Sequence, residues 1–467
     1  MRAWSAERVA EAAEARLVLP SGRGGEGGPE RVVIDSREAA PGALFVGLPG
    51  VNVDGGAFAA QALAAGAWGV LVAPDHAAAA AGTLSPGTAG GQAATPAAGA
   101  GGVVLAAERP LLALHHLARA WRRELGAKVI GVTGSSGKTS TKDLLLAILS
   151  PARRTVASRA NRNTEIGLPL EILAAPAGTG VLVLEMAMRG PGQIAELAAI
   201  AEPDVAVVVN VGAAHLELLG SLEAIAAAKA ELIAALPPGG TAVVPAGEPL
   251  LAPHLRDDVT TVTFGPDGAV RVSDFDAERV EIDLEGTPVA LELSLPQPHM
   301  RLNLLAAVAA ARAVGVIPRG RIEVVISAGR GQRCPLPGGG TLIDDCYNAN
   351  PISMRAALED LAEAGRDRRR VAILGDMLEL GPQAREFHLE IARHADRLGI
   401  EVLVTVGPLA AAMAPAFMRE VHSVADARAA ARLVPTVLRD GDVVLVKGSR
   451  GVGLEAVCQA VSAAVTA

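Results

Sequence analysis

Lysine is nearly absent from this chain of 467 residues: only five of its 42 basic residues are lysine, and the rest are arginine. Asparagine occurs seven times and tyrosine once. Aromatic residues make up 2% of the sequence although half of it is apolar, so the core is expected to be small aliphatic packing, chiefly Ala and Val. Three cysteines (Cys334, Cys346 and Cys458) are too few and too scattered for a disulfide framework or a zinc site. There is no basic tail or stripe, and the formal net charge is -8, which argues against nucleic acid as a partner. No stretch has the unbroken hydrophobicity of a membrane span; the uncharged run from Ala77 to Ala107 is full of Gly, Pro and Thr. The start, MRAWSAERVAEAAEARL, is charged throughout and reads as an amphipathic helix rather than a signal peptide, so a cytoplasmic protein is expected.

What remains of the scarce types is concentrated. Lys138 lies in GVTGSSGKTS, Lys229 in SLEAIAAAKAE and Lys447 in LVKGSRGVGLE. Asn161, Asn163, Asn210, Asn303, Asn348 and Asn350 occupy similar segments, and Tyr347 sits in IDDCYNANP. Arginine replaces lysine as a solvated charge but not as a compact amine that can lose its proton, so a composition swept toward Ala, Gly and Arg retains lysine where no substitute works. Lys128 and Lys142 flank the first of these segments without an assigned role.

The length implies roughly three domains. Residues 1–107 form a first α/β unit with the strands RVVIDS and ALFVGL, a helix around Gln61 to Ala65, and a low-complexity insert at 77–102 that buries too little to offset ordering. Residues 108–318 alternate strand and helix from KVIGVT onward, which implies a parallel sheet with crossover helices. Four strand-like runs between 259 and 295 (VTTVTF, VRVSDF, VEIDLE, VALELSL) read as an appended meander. Residues 319–467 begin a second, Rossmann-like α/β series with the strands TLIDD, RVAILGD, VLVTVG and DVVLVK.

The strongest local signal is VIGVTGSSGKTSTKDLL, a hydrophobic strand running into glycines and then a helix at 138–149. Backbone N–H groups and the helix dipole converge there on an anion. Gly134, Ser135, Ser136, Gly137, Lys138, Thr139 and Ser140 make up the loop, in which Lys138 can reach β- and γ-phosphates and the Thr139 hydroxyl can ligate magnesium. The strict pattern asks for glycine where this chain has Val132; Gly134 gives a tighter loop. Glu185 ends the strand VLVLE, where such sheets place ligands, and suits a magnesium ion. His215 follows the strand that ends at Asn210 and by itself reads equally as a buried hydrogen-bonding residue. Lys229 by itself reads as a snorkelling surface lysine on a helix whose other face is apolar.

TGSSGKTS, EMAMRGPGQI, NVGAAHLELLGS, the Ala228–Lys229 pair, IDDCYNANPISM, LGDMLELG and KGSRGVGLE together resemble the ATP-dependent Mur ligases, and YNANP with GDMLELG resembles the branch that adds the terminal dipeptide. DSREAAPGALFVGLPGVNVDGGAF is similar to that family's uridine-nucleotide domain. The resemblance implies three domains: a small α/β uridine-nucleotide domain, a central P-loop ATPase-type sheet with appended β strands, and the C-terminal Rossmann-like domain. It implies ATP and two magnesium ions, with UDP-N-acetylmuramoyl-tripeptide and D-alanyl-D-alanine as substrates of a monomer. Lys138 and Thr139 match the phosphate and magnesium positions; Glu185 and His215 match metal ligands. Lys229 matches a lysine that becomes carbamylated. Asn303, Arg330, Asp344 and Tyr347 match nucleotide contacts, and Ser36 and Arg37 uridine-nucleotide contacts. Asn161, Asn163 and Thr164 correspond to a loop facing the muramoyl peptide, while Asn348, Asn350, Lys447, Ser449 and Arg450 fall where substrate contacts are expected. Departures are Gly56 where many relatives carry His, Thr164 for a second paired asparagine, Met300 for the first asparagine of a His-Asn-x-x-Asn element, and PAGEP at 245–249 for an Asn-Ala-Asp-Asp-Pro turn.

The reaction so implied activates a peptide carboxylate as an acyl phosphate, which the dipeptide amine then attacks. Two rivals stand beside it: a sister ligase adding a diamino acid, whose Asp-Asn-Pro-Arg element is absent, and a non-catalytic nucleotide-dependent binding protein of the same fold, against which intact Lys138, Glu185, His215 and Lys229 argue.

Overall fold

The structure is a computed structural model and describes residues 1–464 apart from residues 2, 21–26, 85–101, 277, 294 and 296. It divides into two units. The first comprises Met1–Gly131, Arg153–Met186 and Ala195–Pro203; the second comprises Val132–Ala152, Ala187–Ile194 and Asp204–Ala467.

In the first unit a five-stranded sheet has the order Arg16–Leu19, Val103–Ala106, Gly69–Val72, Ala43–Val46, Arg31–Val33, and only the first pair is antiparallel. Its three inner strands are buried at every residue, as a parallel sheet covered on both faces requires. The N-terminal helix is shorter than its sequence suggests. It spans Ala6–Ala12, Glu14 turns the chain with a φ of 50°, and Arg16–Leu19 becomes the edge strand. The insert expected at 77–102 begins as helix, since Pro74–Leu84 is helical and packs Ala77 and Ala80 into the core; most of the remainder lies outside the described residues. The helix Pro110–Leu125 buries Ala113, Leu114, Leu117, Ala118 and Trp121 on one stripe and ends at left-handed Gly126. The strands Thr155–Ala157 and Val181–Glu185 pair in parallel in the same unit.

In the second unit Val209 N donates to Thr133 O at 2.9 Å, laying the strand Val205–Val208 beside the end of Lys128–Thr133. Thr241–Pro245 and Thr260–Phe264 extend this arrangement in parallel. The run VTTVTF therefore belongs to the parallel sheet, not to the meander. The link between these two strands includes the 3-10 turn Ala252–His254 and is long enough for a crossover. The antiparallel meander proper is Val270–Phe275, Arg279–Leu284 and Thr287–Glu292, with the short strand Gly320–Arg321 on its outer edge.

A separate sheet has six strands rather than the four anticipated, in the order Gln332–Pro335, Thr341–Asp345, Val443–Lys447, Arg370–Gly375, Val402–Val406, Glu420–Val424. The additional strands are the two edges, and their Arg, Cys, Glu, His and Ser content hides them from hydrophobic pattern. Apolar clusters cover both faces of this sheet. No helix among the described residues is long and apolar enough to cross a membrane.

Candidate active site

The glycine-rich loop joins Lys128–Thr133 to the helix Lys138–Leu149. Gly137 caps that helix with a φ of 76°, and a Cβ there would lie 2.5 Å from Asn303 Oδ1, so this position requires glycine. The loop is held from three sides. Ser135 Oγ donates to Gly212 O at 2.8 Å, Ser136 N donates to Asn210 Oδ1 at 2.9 Å, and Asn350 Nδ2 donates to Ser135 O at 3.0 Å. Lys138 curls over its own loop, its Nζ donating to Gly134 O at 2.7 Å. Thr139 and Ser140 are buried in the first turn. A helix N-terminus, an ammonium and a hydroxyl thus share one short segment, which is the chemistry of a polyphosphate site.

His215 and Lys229 lie in the same unit. His215 has a φ of 59° and stands before the short helix Leu216–Leu219. Its Nδ1 is hydrogen bonded to Glu379 Oε2. Burial lowers its pKa, Glu379 opposes this, and the charges of Lys138 and Lys229 add to the lowering. Lys229 is not a surface lysine: only 2% of it is exposed. Only burial and the Lys138 charge act on its ammonium group. Burial pushes its pKa well below the ordinary lysine value, and the nearby Lys138 charge pushes the same way. The sequence reading fails here because the helix Leu222–Ala234 is apolar nearly all round, and periodicity cannot show which side of it is covered.

Around the C-terminal sheet, Lys447 is also buried. Its Nζ donates to Asp345 Oδ2 at 2.6 Å and to Asn348 O at 2.9 Å. Two guanidinium groups lie over the Tyr347 ring, those of Arg330 at 4.1 Å and Arg450 at 5.1 Å from its centre, and Arg450 Nη1 donates to its hydroxyl at 3.1 Å. Asn348 Oδ1 accepts from Ala349 N, and Ser449 Oγ accepts from Leu378 N at 2.9 Å. Asn350 forms a capping box with Ser353 at the start of the helix Pro351–Ala364. Asp344 lies beside the thiols of Cys346 and Cys458. The cysteines are thus less scattered than their sequence positions suggest, and Cys458 is held strongly toward the thiol form by Cys346 and by burial.

In the first unit, Ser36 and Arg37 form a 3-10 turn, with the exposed Arg37 paired to Asp35, whose carboxyl it holds down to about 2. Asn163 Nδ2 donates to Glu185 Oε1 at 2.8 Å, and Ser158 Oγ accepts from Glu185 N at 3.0 Å, fixing the strand-end carboxylate. Asn161 accepts Asn163 N at its carbonyl, and Thr164 O starts the turn into the helix Gly167–Ala174 by accepting from Leu168 N. At Gly56 a Cβ would meet the His76 ring at 2.3 Å, and His76 Nε2 is 2.8 Å from Asp54 Oδ2. An imidazole therefore still lies against position 56, supplied from elsewhere in the chain.

Two features escaped the sequence. Lys142 and Asp143 form a buried ion pair at 2.8 Å, and Asp143 Oδ2 accepts from Ser327 N at 2.9 Å. Glu379, which meets His215, lies in the LGDMLELG segment, where it and Asp376 are the two charges of an otherwise apolar run; that was the available signal.

Residues 30–122, 132–311 and 329–450 match, respectively, the Mur ligase family catalytic domain, the Mur ligase middle domain and the Mur ligase glutamate ligase domain. The chain is 38% identical, over 92% of each sequence, to the UDP-N-acetylmuramoyl-tripeptide–D-alanyl-D-alanine ligase of Mycobacterium tuberculosis. It is 32% identical to the same-named protein of Escherichia coli, over 92% of this chain and 93% of that one. Among solved structures, MurF from Acinetobacter baumannii superimposes with a TM-score of 0.83 at 27% identity, covering 98% of this chain and 99% of the other. MurF ligase from Thermotoga maritima in complex with ADP gives 0.77 at 30% identity, covering 93% and 98%.

Proposed function

Since the chain belongs to the Mur ligase family, we propose that it is an ATP-dependent ligase joining D-alanyl-D-alanine to UDP-N-acetylmuramoyl-tripeptide in peptidoglycan precursor synthesis. The 38% identity to a relative of that name over 92% of the chain carries this reading. The division proposed is a uridine-nucleotide domain (1–107), a central ATP-binding domain (108–318) and a C-terminal ligase domain (319–467); the matches number three in the same order, and the first, at 30–122, runs past residue 107. No observation favours a diamino-acid ligase or a non-catalytic binding protein.

The chemical problem is to bring ATP and a peptide carboxylate, both anions, into reaction. The N–H groups at the start of the helix, Gly137 through Ser140, receive the phosphates, while those of Ser135 and Ser136 hold the loop to Asn210, and Lys138 leaves the Gly134 carbonyl to neutralise the bound charge. Asn303, Arg330, Asp344 and Tyr347 serve the nucleotide; the two guanidiniums stacked on Tyr347 bring positive charge to it. The peptide carboxylate attacks the γ-phosphorus, ADP leaves, and an acyl phosphate results. The dipeptide amine then displaces phosphate to form the amide. Ser36 and Arg37 hold the uridine nucleotide, and Asn161, Asn163 and Thr164 face the muramoyl peptide. Asn348, Asn350, Lys447, Ser449 and Arg450 shape the dipeptide side, several of them through the hydrogen bonds described above.

The donor set suits magnesium: hard oxygens from Thr139 and the braced carboxylate of Glu185, with His215 as a nitrogen ligand. Bound magnesium supplies charge neutralisation of the phosphates. Lys229 suits carbamylation, in which a neutral amine adds carbon dioxide and releases a proton; its burial favours the neutral form. The resulting carboxylate-like group would be a further oxygen ligand.

The test is phosphate release from ATP by the purified protein. Release that requires UDP-tripeptide and D-alanyl-D-alanine together is expected. Slow release that ignores both would sink the ligase reading in favour of a nucleotide-dependent switch.

A further inference from the structure

The loop after the strand Arg370–Gly375 is braced residue by residue. Met377 N donates to His388 Nε2 at 3.0 Å, and Leu378 N donates to Ser449 Oγ at 2.9 Å. Glu379 follows with a φ of 61°, a left-handed conformation that costs a non-glycine residue about 1–2 kcal/mol. Its carbonyl accepts from Glu217 N at 3.1 Å, and Gly381 packs against Glu217 with its own φ of 64°. All this positions one carboxylate. Glu379 Oε2 meets His215 Nδ1, and Oε1 lies 3.8 Å from Arg189 Nη2. His215 is itself left-handed, with a φ of 59°. Two strained residues, 164 positions apart in sequence, thus meet side chain to side chain.

An ordinary surface ion pair contributes about 0–1 kcal/mol and would not sustain strain on both partners. The pairing has a chemical consequence instead. A neutral imidazole has one N–H and one lone pair. A carboxylate accepts but does not donate, so Glu379 fixes the proton of neutral His215 on Nδ1 and leaves the Nε2 lone pair free to bind. We propose that Glu379 is a positioning residue: it sets the His215 tautomer and ring orientation, so that Nε2 is ready as a ligand only while the loop Met377–Gly381 is docked on the His215 segment. The ligand role of Nε2 rests on the ligase reading above; the tautomer assignment does not.

Three full-length proteins test this: wild type, Glu379→Gln and Glu379→Gly. Glycine adopts a φ of 61° without strain, so that variant removes the carboxylate while easing the backbone. The first readout is the His215 imidazole 15N–1H correlation in metal-free protein, assigned with His215→Gln. Wild type and Glu379→Gln, whose amide oxygen still accepts, are expected to show the Nδ1–H tautomer. Glu379→Gly is expected to shift toward Nε2–H at an unchanged or higher thermal midpoint. The second readout is the magnesium concentration for half-maximal ligase activity, expected to rise about 10–100-fold in Glu379→Gly and much less in Glu379→Gln, with KM for the dipeptide near wild type. A wild-type tautomer in Glu379→Gly overturns the proposal. So does a changed tautomer with unchanged magnesium dependence. A wild-type protein without substrate-dependent phosphate release instead overturns the ligase reading, while the tautomer readout still decides the positioning by Glu379.

Discussion

Asn350 Nδ2 donates to the backbone carbonyl of Ser135 at 3.0 Å, while Asn350 Oδ1 accepts from Ser353 N at 2.9 Å. One amide therefore caps the helix Pro351–Ala364 and holds the glycine-rich loop. The two tasks are separable, because aspartate caps helices as well as asparagine but cannot donate. Asn350→Asp should keep stability within about 0.5 kcal/mol in denaturant titration, whereas Asn350→Ala should lose about 1 kcal/mol. Both should weaken nucleotide binding. An Asn350→Asp protein with wild-type nucleotide affinity would show that the loop does not depend on this donor.

The Lys229 side chain is buried, and burial favours its neutral form, which the proposed carbamate requires. Lys229→Ala should abolish ligation and regain part of it with a short added carboxylic acid. Lys229→Arg should stay inactive, since guanidinium remains protonated. Full activity in Lys229→Arg, measured as amide product, would remove the carbamate from the mechanism.

At Gly137 a Cβ would sit 2.5 Å from Asn303 Oδ1, and the φ of 76° disfavours any side chain. Gly137→Ala is expected to lower ATP affinity at least about tenfold, equivalent to 1.4 kcal/mol, by calorimetric titration. Unaltered affinity would mean that Asn303 and the loop move apart freely.

His388 is fully buried; its Nε2 accepts from Met377 N and its Nδ1 faces Ala384 O. Burial lowers its pKa below 6.5. The folded state thus binds fewer protons than the unfolded state in the window beneath 6.5, and stability rises with pH there. The contribution is present above that value and is lost as pH falls toward the folded-state pKa. Thermal midpoints should fall on acidification from pH 7 to 5, and less steeply in His388→Asn. An equal slope in both proteins would assign the effect to other groups.

Much of this was legible because it is local. The segment from Val129 to Leu149 carries strand, glycines, lysine and helix in one contiguous run, and the structure places them so. Glu185 at a strand end follows the same logic. What was illegible depends on distance or on coverage. His215 and Glu379 meet across 164 positions, and Cys346 meets Cys458 across 112; no periodicity reports either. Lys229 was misjudged because the apolar face read opposite it is not the only buried one: Ala226, Ala228 and Ala230 are buried around it as well, and what packs upon a helix is not written in its own residues. The polar edge strands Gln332–Pro335 and Glu420–Val424 were missed because edges need not be hydrophobic.

The alanine-rich helix Pro298–Ala313 packs against the helix Lys138–Leu149, and its residues Leu304 through Ala311 are all essentially inaccessible to solvent. Asn303 sits on this helix, with Ala307 and Ala310 one and two turns further along the same stripe. Short side chains let this helix pack closely on its neighbours, and Asn303 on it comes so near Gly137 that a Cβ there would lie 2.5 Å from its Oδ1. The composition that looked like drift toward the smallest apolar residue is, on this helix, a limit on thickness: where every position from Leu304 to Ala311 is enclosed, there is no side on which a larger residue could be accommodated without strain.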